Sequence, residues 1–150
     1  MPVAAVMIAE SVAIAPGLRL LSPEDLVIHA AAHLLADGDM SGGLRNLWDI
    51  RCLIEEFPLS GLRERAATHG LLTETERAVR LVGMLFAGAK VTGLIDRLYL
   101  ARVTARDEWG RETRKGLRFA FYIRSHLIRM PLPLLLRHLF TKWRKARSSV

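Results

Sequence analysis

One hundred and fifty residues, half of them apolar and a quarter charged, bound a single folded domain with a real hydrophobic core. The lone cysteine, Cys52, excludes an internal disulfide framework and fits a reducing compartment, so the expected location is cytoplasmic, with a peripheral place at the membrane left open. The net charge of +7 is uneven: residues 1–110 carry 11 Lys and Arg against 14 Asp and Glu, whereas residues 111–150 carry 11 against one acid, Glu112.

The apolar run Val3 to Ala9 has no Lys or Arg before it and is interrupted by Glu10, which makes a poor signal peptide. No uncharged apolar stretch approaches the roughly 18–20 residues of a membrane-spanning helix. Met7 to Ile14 is rich in small and branched apolar residues, Ala15-Pro16-Gly17 reads as a turn, and Leu18 to Leu21 as an extended return. Residues 1–21 are therefore expected to form a β-hairpin. A lone hairpin is marginal in water, and its open edge predicts self-association or a missing partner strand.

Ser22-Pro23-Glu24-Asp25 is a helix start: a capping hydroxyl, a proline suited to the first turn, and acids at the positive helix end. This helix should run to about Ala36 and, being apolar nearly all round, should sit centrally. A second helix is expected over 43–57, with Leu47, Ile50, Ile54 and Phe57 on one stripe and Pro58 ending it. A short third spans 60–69. Thr73-Glu74-Thr75-Glu76 reads as a capping box opening a fourth that ends near Gly88. A fifth is expected over 92–104 and a sixth over 107–129. After Pro131 and Pro133 a last amphipathic helix runs to about Lys145. The fold class is mainly α: about six to seven helices after a short N-terminal hairpin. Residues 22–105 form the helical core, and 106–150 the basic amphipathic C-terminal helices.

Few residues suggest chemistry. His29 and His33 are four apart and share a helix face. With Asp49 from the next helix they could hold zinc, or one buried histidine could bond Asp49 and lock the two helices. Asp37 and Asp39 form an Asp-x-Asp pair, a weak Mg²⁺ candidate in a loop whose composition equally suits a turn. Arg63 and His69 have a spacing found in some helical ribonucleases, which an arginine-rich chain also produces by chance. GxGxxG, GxxxxGK[ST], Gly-x-Ser-x-Gly and Cys-x-x-Cys are all missing, which excludes the phosphate loops and nucleophile elbow that they encode.

The cationic C-terminus is more informative. Arg114, Lys115 and Arg118 recur near helical spacing beside Phe119, Phe121 and Tyr122, with Arg111 before them and Arg129 after. Arg137, Lys142, Arg144 and Lys145 flank an apolar face of Leu132, Leu135, Leu136, Leu139, Phe140 and Trp143. These cations are candidates for an anionic membrane surface, a partner protein or, less readily, nucleic acid. They equally suit a solvated face of a docked helix.

Leu21-Ser22-Pro23-Glu24-Asp25-Leu26, His29, His33, Leu44, Leu47-Trp48-Asp49-Ile50 and Leu53 together resemble the C-terminal part of the uncharacterised nucleotidyltransferase family, within the polymerase-β-type superfamily. Tyr122-Ile123-Arg124-Ser125 and Arg129-Met130-Pro131 look like its tail. The resemblance implies a small sheet with a Gly-Ser turn and paired carboxylates that bind Mg²⁺ and align a nucleoside triphosphate. This sequence has no Gly-Ser dipeptide, and its Asp-x-Asp lies after the helix where the family pattern has left the sheet. No catalytic residue is therefore expected here. His33 and Asp49 match the family's regular histidine and aspartate, and the resemblance implies a helix-locking or cleft-shaping role for them. Mg²⁺ and the triphosphate are expected only with a catalytic subunit or N-terminal domain that this chain lacks.

Overall fold

The computed structural model describes residues 3–36, 38–40, 42–91 and 93–147. In chain order the elements are α1 (Val3–Ala9), β1 (Val12–Ala15), β2 (Leu18–Leu20), α2 (Pro23–Ala36), α3 (Gly43–Glu56), α4 (Leu62–Thr68), α5 (Leu72–Phe86), α6 (Leu94–Val103), α7 (Lys115–Arg129) and α8 (Leu132–Arg147). All seven expected helices are present. The eighth, α1, replaces the expected start of the hairpin. Met7 belongs to that helix, not to a strand, and is buried with Ile28 and Ala66. Val3, one turn earlier, packs on the same cluster. A seven-residue helix is marginal alone, so this contact is what holds it.

The hairpin is correspondingly short. β1 and β2 pair antiparallel, Val12 with Leu20 and Ala13 with Arg19, around the Pro16-Gly17 turn. All seven strand residues are exposed. Arg19 ties the ribbon to the end of α1 through the Ser11 hydroxyl and carbonyl.

α2 is the central helix, packing on α3, α4 and α5. Ser22 caps it, accepting the Asp25 N–H at 3.2 Å. Val27, Ala31, Leu34 and Leu35 form the main core with Leu47 and Ile50 of α3 and Ala78, Leu81 and Val82 of α5. α6 and α7 close this core with Tyr99, Val103 and Phe121, the two rings edge to face at 5.2 Å.

Two expected helix starts are wrong. α5 begins at Leu72, with Leu71 as its N-cap and no side-chain cap, so the Thr73 capping box does not form. The reason lies one turn earlier. Gly70, at φ +68°, ends α4 with its N–H on the Ala67 carbonyl, while the Leu71 N–H reaches the Ala66 carbonyl at 2.8 Å. This is a Schellman ending, in which the residue after glycine packs back onto the helix, and Leu71 and Leu72 duly join the Met7 cluster. α7 begins at Lys115, not Asp107. The Asp107 carboxylate accepts the Trp109 and Arg111 N–H groups, Gly110 takes φ +74°, and Arg106 bridges Glu112. Aspartate-led turn bonding of this kind competes with helix.

Candidate functional site

The strongest polar constellation was not legible as a site. Asp25, in the first turn of α2, is completely buried. Arg65 of α4 grips it with two parallel bonds, Nε to Oδ1 at 2.8 Å and Nη2 to Oδ2 at 2.6 Å. His69, one turn further on, places Nε2 3.1 Å from Oδ1. Glu10, just after α1, takes the remaining face of the Arg65 guanidinium. Burial pushes the Asp25 carboxyl upward, but the Arg65 bonds and charge, with those of His69, outweigh it and hold the carboxyl below the usual carboxylate range. Bonding to Asp25 in turn raises the Arg65 guanidinium above its already high value, against the opposing effect of burial. Chemically this is a lock: the Asp25 carboxylate ties α2 to α4, and Arg65 extends the tie to the end of α1 through Glu10.

The sequence-selected residues are placed otherwise. His29, His33 and Asp49 are all exposed, so the expected buried histidine–aspartate lock is not the one that joins the helices. The two imidazoles lie near each other, centroids 6.4 Å apart. The apolar stripe of α2 turns the histidine face outward, and the lock falls to Asp25 instead. Arg63 is exposed and pairs with Glu76 at 3.0 Å, well apart in role from buried His69. Asp39 is partly buried, and its carbonyl accepts Nε of Arg102 at 3.0 Å. Asp37 lies outside the described residues. Among the described residues no three His, Cys, Asp or Glu side chains are grouped as metal ligands could be.

Among the C-terminal cations, Arg114, Arg118 and Arg124 bond within the fold. Arg114, left-handed at φ 53° in the N-cap position of α7, makes no side-chain cap and donates instead to the Ala101 carbonyl of α6 at 3.0 Å. Arg118 bonds Glu112 at 2.6 Å and holds that carboxyl below its usual range. Lys115, Arg137 and Arg144 are exposed. The side chains of Lys142 and Lys145 lie outside the described residues. Around the exposed cations, Phe119, Leu127, Ile128, Leu132, Leu134 and Phe140 are also solvent-facing.

A cavity of about 560 Å³ opens where the start of α3 meets the ends of α5 and α6. Met40 and Val103 are its buried apolar side chains, and Leu44, Trp48 and Phe86 its exposed or half-buried apolar wall. Trp48 and Phe86 meet edge to face at 5.6 Å, and the Arg51 guanidinium braces both from 4.9 and 5.3 Å. Arg45, Arg102 and Arg106 also line it. Arg45 comes from α3, and Arg102 and Arg106 come from the end of α6 and the turn after it, so no single motif announces all three.

Among the described residues no helix is long and apolar enough to cross a membrane. No curated protein and no solved structure matches the chain. The family comparison does give an answer: residues 3–87, from α1 to the last turns of α5 and so including the hairpin, the Asp25 lock and the α2–α3 pair, match an uncharacterised nucleotidyltransferase, and the chain belongs to that family.

Proposed function

We propose that this chain supplies the helical portion of a nucleotidyltransferase-like protein and transfers no nucleotide by itself, the metal-binding carboxylates coming from a sheet in a catalytic subunit or domain. The observation that carries this reading is the hairpin. Val12, Ile14, Leu18 and Leu20 are all exposed on a ribbon that has two strands among the described residues, beside the helical body. Two strands need more strands or a covering layer to be stable, and an open edge is a template for another strand. The Asp25 lock fixes the helices beneath and gives such a sheet a firm seat. Cys52, the lone cysteine, supports a cytoplasmic setting. The test is reconstitution. A polypeptide with a Gly-Ser turn and paired aspartates, encoded in frame with or beside this chain, should co-purify with it through the hairpin and acquire label transfer from a nucleoside triphosphate with Mg²⁺. Association that survives Ile14→Lys and Leu18→Lys would refute the hairpin as the docking edge.

A second reading is favoured by α7 and α8, where exposed Phe119, Leu132, Leu134 and Phe140 stand among exposed Lys115, Arg137 and Arg144. It makes this end an interaction module for an anionic membrane surface, since cationic amphipathic helices lie in such interfaces. Vesicles with acidic lipids should retain the chain and release it when residues 131–150 are deleted. Retention by RNA or by a partner protein instead would redirect this reading.

A further inference from the structure

The lining of the cavity beside Trp48 gathers three arginines. Residues 1–110 carry more acids than bases, yet Arg45, Arg102 and Arg106 all line this one space. Among its described lining residues there is no carboxylate. Arg102 is buried and held in place by the Asp39 carbonyl at 3.0 Å, with Glu112 3.8 Å away on its other side. Glu112 is drawn mainly to Arg118, at 2.6 Å. Arg45 and Arg106 are exposed. α3 also begins here, and its N-cap, Gly42, supplies no side-chain cap. The positive end of that helix adds to the field. The same lining includes Trp48, Phe86 and Val103, rings and branched aliphatic surface. A volume of this size suits one small organic molecule, and an apolar wall with a few convergent polar groups is the usual form of such sites.

We infer that this cavity binds an organic anion with an apolar body, its carboxylate, sulfonate or phosphate end on the three arginines and its body against Trp48 and Phe86. The guanidinium groups would recognise the anionic end by charge-assisted bonds. The described lining residues all belong to this chain, and the inference does not rest on the catalytic partner proposed above.

The test uses the full chain carrying Trp109→Phe and Trp143→Phe, which leaves Trp48 as its sole tryptophan. The probe is 1-anilinonaphthalene-8-sulfonate, with neutral N-phenyl-1-naphthylamine as its uncharged counterpart. The sulfonate should quench Trp48 saturably at one site per chain, and bind more tightly than the neutral dye. Arg45→Gln with Arg106→Gln should weaken it about tenfold or more, the loss expected for a bond to a charged group. Arg45→Gln alone, at a side chain outside the fold's bonding, should give a smaller loss with unchanged circular dichroism. Arg137→Gln, on α8, should change nothing. Sulfonate binding that leaves Trp48 unquenched, that ignores both cavity variants, or that the neutral dye equals, would overturn the assignment.

Discussion

Replacing Asp25 with alanine removes one carboxylate and strands two partners. Arg65 loses two charge-assisted bonds, and His69 loses its acceptor. Breaking a buried ion pair from one side costs about 3–5 kcal/mol. The lower end applies, because the Arg65 side chain is 23% exposed and keeps Glu10. For a chain of this size a urea slope of about 2–3 kcal/mol per molar converts about 3 kcal/mol into a midpoint lowered by roughly 1 M. Glu10→Gln, at a side chain 55% exposed, should cost no more than about 1 kcal/mol. The pH dependence separates charge from packing. The folded-state Asp25 carboxyl titrates below its ordinary value, so its contribution is complete above the unfolded value, about pH 4, and fades as pH falls through the folded value. The gap between parent and Asp25→Ala should therefore be constant from about pH 5 upward and shrink below about pH 4. Urea melts across that range decide it. A variant within about 0.5 kcal/mol of the parent at pH 7, or a gap that widens in acid, would refute the lock.

Gly38 sits at φ +73°, and a Cβ there would lie 2.5 Å from the Ser125 backbone Cα. Gly38→Ala should cost about 2–4 kcal/mol in a thermal melt, combining backbone strain with overpacking. Ile14→Lys and Leu18→Lys, on the uncovered hairpin, should leave stability of the isolated chain within about 0.5 kcal/mol, checked by the same melt. Arg51→Ala should cost about 0.5–1 kcal/mol and shift Trp48 emission, because the guanidinium braces both rings.

Elements marked by local chemistry were the legible part of the fold. Ser22-Pro23 opens α2, Pro58 follows α3, and the apolar stripe of Leu47 and Ile50 faces the core as its spacing requires. α1 escaped because branched residues such as Val6 and Ile8 suit a strand as well as a helix. Only the Val3–Met7 spacing hinted at a buried helical edge, and the deciding contacts, with Ile28 and Ala66, are distant in sequence. The same limit applies to the polar residues. Asp25 looked like an ordinary helix-dipole acid, and its partner Arg65 is 40 positions away. Its one local trace is the four-residue spacing of Arg65 and His69. His29 and His33 stood out by spacing alone, but spacing shows which side chains share a face and not whether that face is buried. Arg45, Arg102 and Arg106 converge only through the packing of α3 and α6.

The most direct measurement is label transfer by the purified chain. Incubated alone with Mg²⁺ and each labelled nucleoside triphosphate, residues 1–150 should pass no label to protein, RNA or small-molecule acceptors. Transfer that co-purifies with the chain and disappears with a carboxylate substitution that leaves its urea midpoint unchanged would contradict the account, because it would place a working metal site among these helices.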